Sequence, residues 1–152
     1  MHTLALLLQL IVAMGGVSLE SLSVTGAPFD ISTGWAEVPL REPLTANTGN
    51  PRLIIYLRNL SEAGLDREHV LQQLPLMFPP SSLEAEAINH DGKAFRLKLT
   101  GYSFFRGLPG LVLEEEAISK GETFYKLRIR ATAALHDVTM IWLDSLGRSR
   151  PE

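Results

Sequence analysis

A chain of 152 residues, 45% hydrophobic and 20% charged, has room for one domain with a self-sufficient core, and its composition argues against a disordered chain. A formal net charge of −3 leaves no basic footprint for nucleic acid, which is not expected as a partner. The lack of any cysteine removes disulfides, thiolate metal sites and a cysteine nucleophile together, so the core alone must hold the fold.

The first element is an apolar run, Leu4 to Met14, in which Gln9 is the only polar residue. Its length suits the apolar region of a signal peptide and falls short of the roughly 20 residues that cross a bilayer. Cleavage after Gly15 places the small residues Ala13 and Gly15 at the two recognition positions. The start, Met1-His2-Thr3, lacks the usual positive charge, and the first basic residue is Arg41. Residues 1–16 are read as a signal peptide or a short membrane-associated segment, and the protein as exported. The bland alternative is a buried first strand or helix of a cytosolic domain. Ile11-Val12-Ala13 followed by Met14-Gly15-Gly16 resembles a bacterial lipoprotein signal. In that family an invariant Cys carries the lipid, and Met14 stands in its place. A thioether cannot form the lipid linkage, so the resemblance implies ancestry rather than lipidation.

From Val17 on, period-two alternation and turn residues dominate. Leu19 to Val24 is expected to open the sheet, and Trp35 to Leu40 to follow the turn signal Ser32-Thr33-Gly34. Arg52 to Arg58 carries Leu53, Ile55 and Leu57 on one face and Ile54 and Tyr56 on the other, which predicts a central strand. Asn59-Leu60-Ser61 forms a glycosylation sequon, meaningful only in a eukaryotic secretory chain. Next comes a helix capped by Asp66, with Leu65 and Val70 as its staple and Val70, Leu71 and Leu74 as its apolar stripe. Pro75 is expected to stop it, and Pro79-Pro80 to keep the return extended.

Residues 83–99, LEAEAINHDGKAFRLKL, predict a hairpin with a three-residue loop at His90-Asp91-Gly92. That loop pairs Ala87 with Phe95, Glu86 with Arg96, Ala85 with Leu97 and Glu84 with Lys98. A two-residue loop would set Glu86 against Leu97, burying a charge or exposing a core face. Leu111 to Leu113 is a short apolar strand, and Glu114-Glu115-Glu116 a solvated turn. Phe124 to Ala131 is expected to turn Tyr125, Leu127, Ile129 and Ala131 inward and Lys126, Arg128 and Arg130 outward. Val138 to Leu143, apolar on both faces, predicts a second central strand. Trp142 and Trp35 are assigned to the core, and residues 146–152 to a frayed tail.

Together these elements predict an all-β domain over residues 17–145: an antiparallel β-sandwich, immunoglobulin-like or jelly-roll, with one short crossover helix.

Chemistry is sparse. His2, His69, His90 and His136 are too far apart in sequence to form a local ligand pair, and the histidine-aspartate neighbours fall in turns. No serine sits in a G-x-S-x-G elbow, and the glycines form no phosphate loop. No catalytic residue, metal or cofactor is therefore assigned, and the chain is read as a non-enzyme. Arg96, Lys98, Lys126, Arg128 and Arg130 would line one sheet face if their strands were neighbours, offering a surface for anions or polysaccharide. The bland reading is that Glu84 and Glu86 neutralise it. Tyr102, Phe104, Phe105 and Arg106, beside the Gly/Pro-rich 107–110 loop, are the candidate ligand-binding residues. Rings there could stack on a sugar, which makes a carbohydrate-binding module the alternative function. The leading expectation is a small exported bacterial protein, periplasmic or envelope-associated, of binding or structural-accessory type. Its partner would be an unknown envelope protein or a glycan, with membrane association through the N-terminal segment as a further option. A structural accessory would carry an apolar patch for its partner.

Overall fold

The computed structural model describes residues 22–47, 50–58, 66–105, 107–115 and 118–144. The expectations placed on residues 1–21, the sequon, Leu65, Arg106 and the tail fall outside these. The described elements are β1 (Phe29–Ile31), β2 (Ala36–Glu37), β3 (Leu44–Thr45), β4 (Arg52–Leu57), α1 (Arg67–Met77), β5 (Leu83–Asn89), β6 (Ala94–Phe105), β7 (Leu108–Glu114), β8 (Thr123–Ala131) and β9 (Leu135–Leu143). Every strand pairing is antiparallel, and all nine strands belong to one sheet, ordered β1-β9-β4-β7-β6-β5-β8-β2 with β3 also on β8.

The segment 29–46 curls this sheet nearly into a barrel. β1 pairs with β9 at one edge, while β2 and β3 pair with β8 at the other. Just past β1, the Ser32 carbonyl accepts from the Ala131 N–H of β8 at 3.1 Å. The all-β antiparallel class and the crossover helix stand. The two-sheet sandwich, in either topology, does not. Alternation is common to sandwiches and barrels; closure depends on short strands that satisfy both sheet edges.

The 83–99 hairpin forms in the expected register, with Glu84 opposite Lys98, Ala85 opposite Leu97, Glu86 opposite Arg96 and Ala87 opposite Phe95. Gly92 takes φ +83°, the left-handed conformation that its loop position requires. The Asn89 side chain secures the loop by accepting from the Asp91 and Lys93 N–H groups.

Two irregularities swap sheet faces, as an extra residue in a ladder must. In β6 the register shifts between Leu99 and Gly101. Phe95, Leu97 and Leu99 point inward before the shift, and Tyr102 and Phe104 pack on the core after it. In β8 the shift opposite Ile88 and Asn89 buries Phe124 completely and leaves Tyr125 51% exposed. This corrects the inward placement of Tyr125.

Side chains fill the interior. Leu53, Ile55, Leu97, Leu111, Leu113 and Leu127 are fully buried and belong to one continuous cluster. One end is closed by rings, Phe95 on Phe124 with centroids 5.5 Å apart and Phe124 on Trp142 at 5.8 Å. The α1 helix serves the other end, with Val70 and Leu74 buried in the same cluster. Asp66 caps the helix by accepting from the His69 N–H. Pro75 does not stop it. It sits in the last turn, where its missing N–H removes one bond, and the Phe78 N–H still reaches the Leu74 carbonyl at 2.7 Å.

Three further expectations change. Leu22 to Thr25 forms turns rather than a strand, tied to β9 by the Val24 N–H on the Met140 carbonyl. Only Ala36 and Glu37 of the 35–40 stretch are strand. Trp35 is half-buried outside the core, with the Arg128 and Arg130 guanidinium groups 5.0 and 4.9 Å from its ring centre. Trp142 is also half-buried, packed on the core with its indole N–H on the Thr45 carbonyl.

Candidate functional site

The outer wall of the barrel has two chemically distinct halves. One comprises β5, β8 and the first part of β6. The acidic strand β5 lies between the two basic ones, so Glu84 faces Lys98 and Arg130, and Glu86 faces Arg96 and Arg128. Arg130 meets Glu84 at 2.6 Å, Arg128 meets Glu86 at 3.2 Å, and Arg96 bridges both acids at 3.4 and 3.7 Å. Lys98 also faces Glu114 across the next ladder. The basic ladder therefore does form on one wall, with acids interleaved through it. A lattice of alternating signs serves solubility better than it serves capture of a polyanion.

The other half comprises β9, β4, β7 and the end of β6. Here the outward side chains are mainly apolar: Ile54 and Tyr56 on β4, with Ile141 and Leu143 on β9, form one cluster, and the polar Thr139 and Ser103 sit beside Tyr56. Leu108 and Val112 of β7, Phe105 of β6, and Leu22 pack around it. The registers make the face continuous, since Ile54 lies between Val112 and Ile141, and Tyr56 between Gly110 and Thr139. Gly110 lets the Tyr56 ring lie across β7: a Cβ there would stand 2.5 Å from the Ser103 hydroxyl and 3.1 Å from the ring. Burial raises the Tyr56 phenol above its ordinary pKa, and the neighbouring Ser103 hydroxyl opposes this in part. Arg52 and Glu114, paired at 2.7 Å, border the apolar band.

Though they point away from the interior, Ile54, Tyr56, Ile141 and Leu143 retain only 5, 3, 3 and 9% exposure. Reading the sequence as a sandwich missed this face. The signal was present in β4 and β9, each apolar on both sides. In a sandwich of central strands that implies a second layer; on a single curled sheet it implies an outer wall that must be covered.

The candidate ligand residues do not converge on this wall. Tyr102 and Phe104 lie on the inner side, and the Tyr102 hydroxyl donates to the Phe78 carbonyl. Burial raises the Tyr102 phenol pKa as well. Phe105 faces outward, with its ring centre 6.5 Å from that of Tyr56. The three rings share no single face.

Clefts open on the surface formed by the described residues, and two of them bear on function. One, of about 300 Å³, is lined by Ser82, Glu84, Arg130 and Thr132 among others, and holds the buried Ser82 hydroxyl without a hydrogen-bond partner. The other, of about 320 Å³, lies among Leu22, Arg41, Trp142 and Asp144. His136 stands 3.7 Å from Asp30, and His90 3.4 Å from Asp91. The Asp137 N–H donates to Asp30 at 2.8 Å and, with His136, holds that carboxyl below its ordinary pKa. Among the described residues no group of three or more His, Asp or Glu is placed to hold a metal ion. Nor is any described helix long and apolar enough to cross a membrane.

Fold and wall together define a small antiparallel barrel-like domain with a filled interior, charged on one side and apolar on the other. Comparison with known protein families, curated proteins and solved structures finds no match.

Proposed function

We propose that the protein is a small exported protein of the bacterial envelope that works without catalysis, as a binding or structural accessory. Its contact surface in the processed protein is the outer face of β9, β4 and β7, and its partner is another envelope protein. The observation that supports this reading is the continuous apolar wall on strands whose opposite face already supplies the core. Apolar bands of this kind on an outer surface mark sites that another surface covers. The filled interior argues in the same direction, because a barrel packed with side chains offers its ligands the outside. The glycan alternative lacks comparable support, since the rings of the 102–105 strip divide between two faces.

The test is the intact mass of the protein recovered from a fractionated bacterial host. A periplasmic species beginning at or near Gly16 is the expected result. Full-length protein confined to the cytosol would overturn the export reading and the envelope role with it.

A further inference from the structure

The buried outer wall requires a cover that the described residues do not supply. Ile54, Tyr56, Ile141 and Leu143 are each at most 9% exposed on the side facing away from the core. Of the described apolar side chains packed on them, Phe105, Leu108 and Val112 belong to the same sheet, and Leu22 comes from outside it. One leucine cannot seal four large side chains spread over two strands.

We propose that in the unprocessed chain this wall is the docking site of the chain's own N-terminal apolar run, Leu4 to Val17. Three observations select that occupant. The run is apolar apart from Gln9 and carries no charge, so it matches the wall in chemistry. It is tethered at the site: Leu22, already on the wall, follows it after the four residues 18–21, five residue steps that reach at most about 18 Å. A tether that short sets an effective concentration in the millimolar range, which favours the run over a competitor in solution. The size also fits. Neighbouring strands lie about 4.8 Å apart, so a wall of four strands is about 15 Å wide. Fourteen residues reach about 21 Å as a helix and over 40 Å extended, enough to cross it in either form.

This inference goes beyond the proposed function and concerns the uncleaved chain wherever it is delivered.

The test uses the full-length chain made by cell-free translation, its N-terminus verified by mass. A photo-crosslinking phenylalanine analogue replaces Val112, and in a second protein Leu108, both half-buried at the wall. Intramolecular crosslinks from both positions to residues 4–17 are expected. Crosslinks between two chains would assign the wall to a second copy and overturn the proposal, as would crosslinks to other segments or none. In a companion full-length variant, L7D/L10D, binding of a hydrophobic dye should rise several-fold with the β-sheet circular dichroism unchanged. Unchanged dye binding would overturn the proposal too. Full-length protein confined to the cytosol would end the export reading yet leave this one intact, so the two fail separately.

Discussion

The charged and apolar halves of the outer wall belong to one sheet and share one core, yet they solve the problem of facing outward differently. On β5 and β8 each outward acid meets bases on both neighbouring strands, and the wall can stand in water unaided. On β4 and β9 the outward residues are largely apolar, with Arg52 and Thr139 the exceptions, and the wall depends on a cover. β6 belongs to both halves. Its outward side carries Arg96 and Lys98 before the register shift, and Phe105 after it. The comparison teaches that a strand's inner face reports the core, whereas its outer face reports what lies beyond the domain.

The sharpest way to break this comparison is to truncate neighbouring residues on opposite faces of β4. Ile55 is fully buried inside and Ile54 is 5% exposed outside. If the outer wall is covered as closely as the core, Ile54→Ala and Ile55→Ala should each cost about 2–5 kcal/mol in chemical denaturation of the full chain. A loss below about 0.5 kcal/mol for Ile54→Ala alone would show an open wall. Gly110→Ala comes next, because its Cβ would stand 2.5 Å from the Ser103 hydroxyl and press on Tyr56; overpacking of this kind costs about 1–3 kcal/mol, read as a fall in the denaturation midpoint.

The charged half should respond far less. A double-mutant cycle on Glu84 and Arg130, paired at 2.6 Å with side chains 22 and 46% exposed, should give a coupling of about 0.2–1 kcal/mol. That coupling should shrink as salt is raised. A larger, salt-insensitive value would make this half a rigid structural element rather than a solvated lattice.

The smallest effect concerns the Asp30 carboxylate. Its folded pKa lies below the ordinary value, first through the Asp137 N–H and also through His136. The folded state thus favours the ionised form, and the stabilisation is present above the unfolded-state pKa. It is lost as pH falls through the folded value. Because Asp30 is exposed, the change is slight: Asp30→Asn should flatten stability between about pH 5 and 3, with little effect at pH 7. An unchanged acid limb in denaturation curves would discount the Asp137 contact.

Parts of this architecture are legible in the amino-acid sequence itself. The β5–β6 hairpin was readable because its alternation brings acids to bases and apolar residues to one another in a single register. The helix was readable from Asp66 and its apolar stripe. Closure was not, because β2 and β3 span two residues each and β1 three, too few to show a period. The face swaps near Thr100 and at Tyr125 were equally hidden, since an extra residue in a ladder leaves no mark on composition. Tyr102, Phe104 and Phe105 looked like one aromatic strip for the same reason. Alternation sends them to opposite faces at the end of β6, and most of the 107–110 stretch expected as a loop belongs to β7, which begins at Leu108.

The amino-acid sequence alone determined that the domain is antiparallel β with one helix, that acids meet bases across the β5–β6 hairpin, and that β4 and β9 are apolar on both sides. Those are local properties, written in a two-residue period and in neighbouring side chains. Only the tertiary structure decided that the strands form one curled sheet rather than two packed ones. Curling places the second apolar face of β4 and β9 outside. That outcome depends on which distant strands find each other, and the energy deciding it is the burial of both sheet edges, a sum over the whole chain that no single stretch contains.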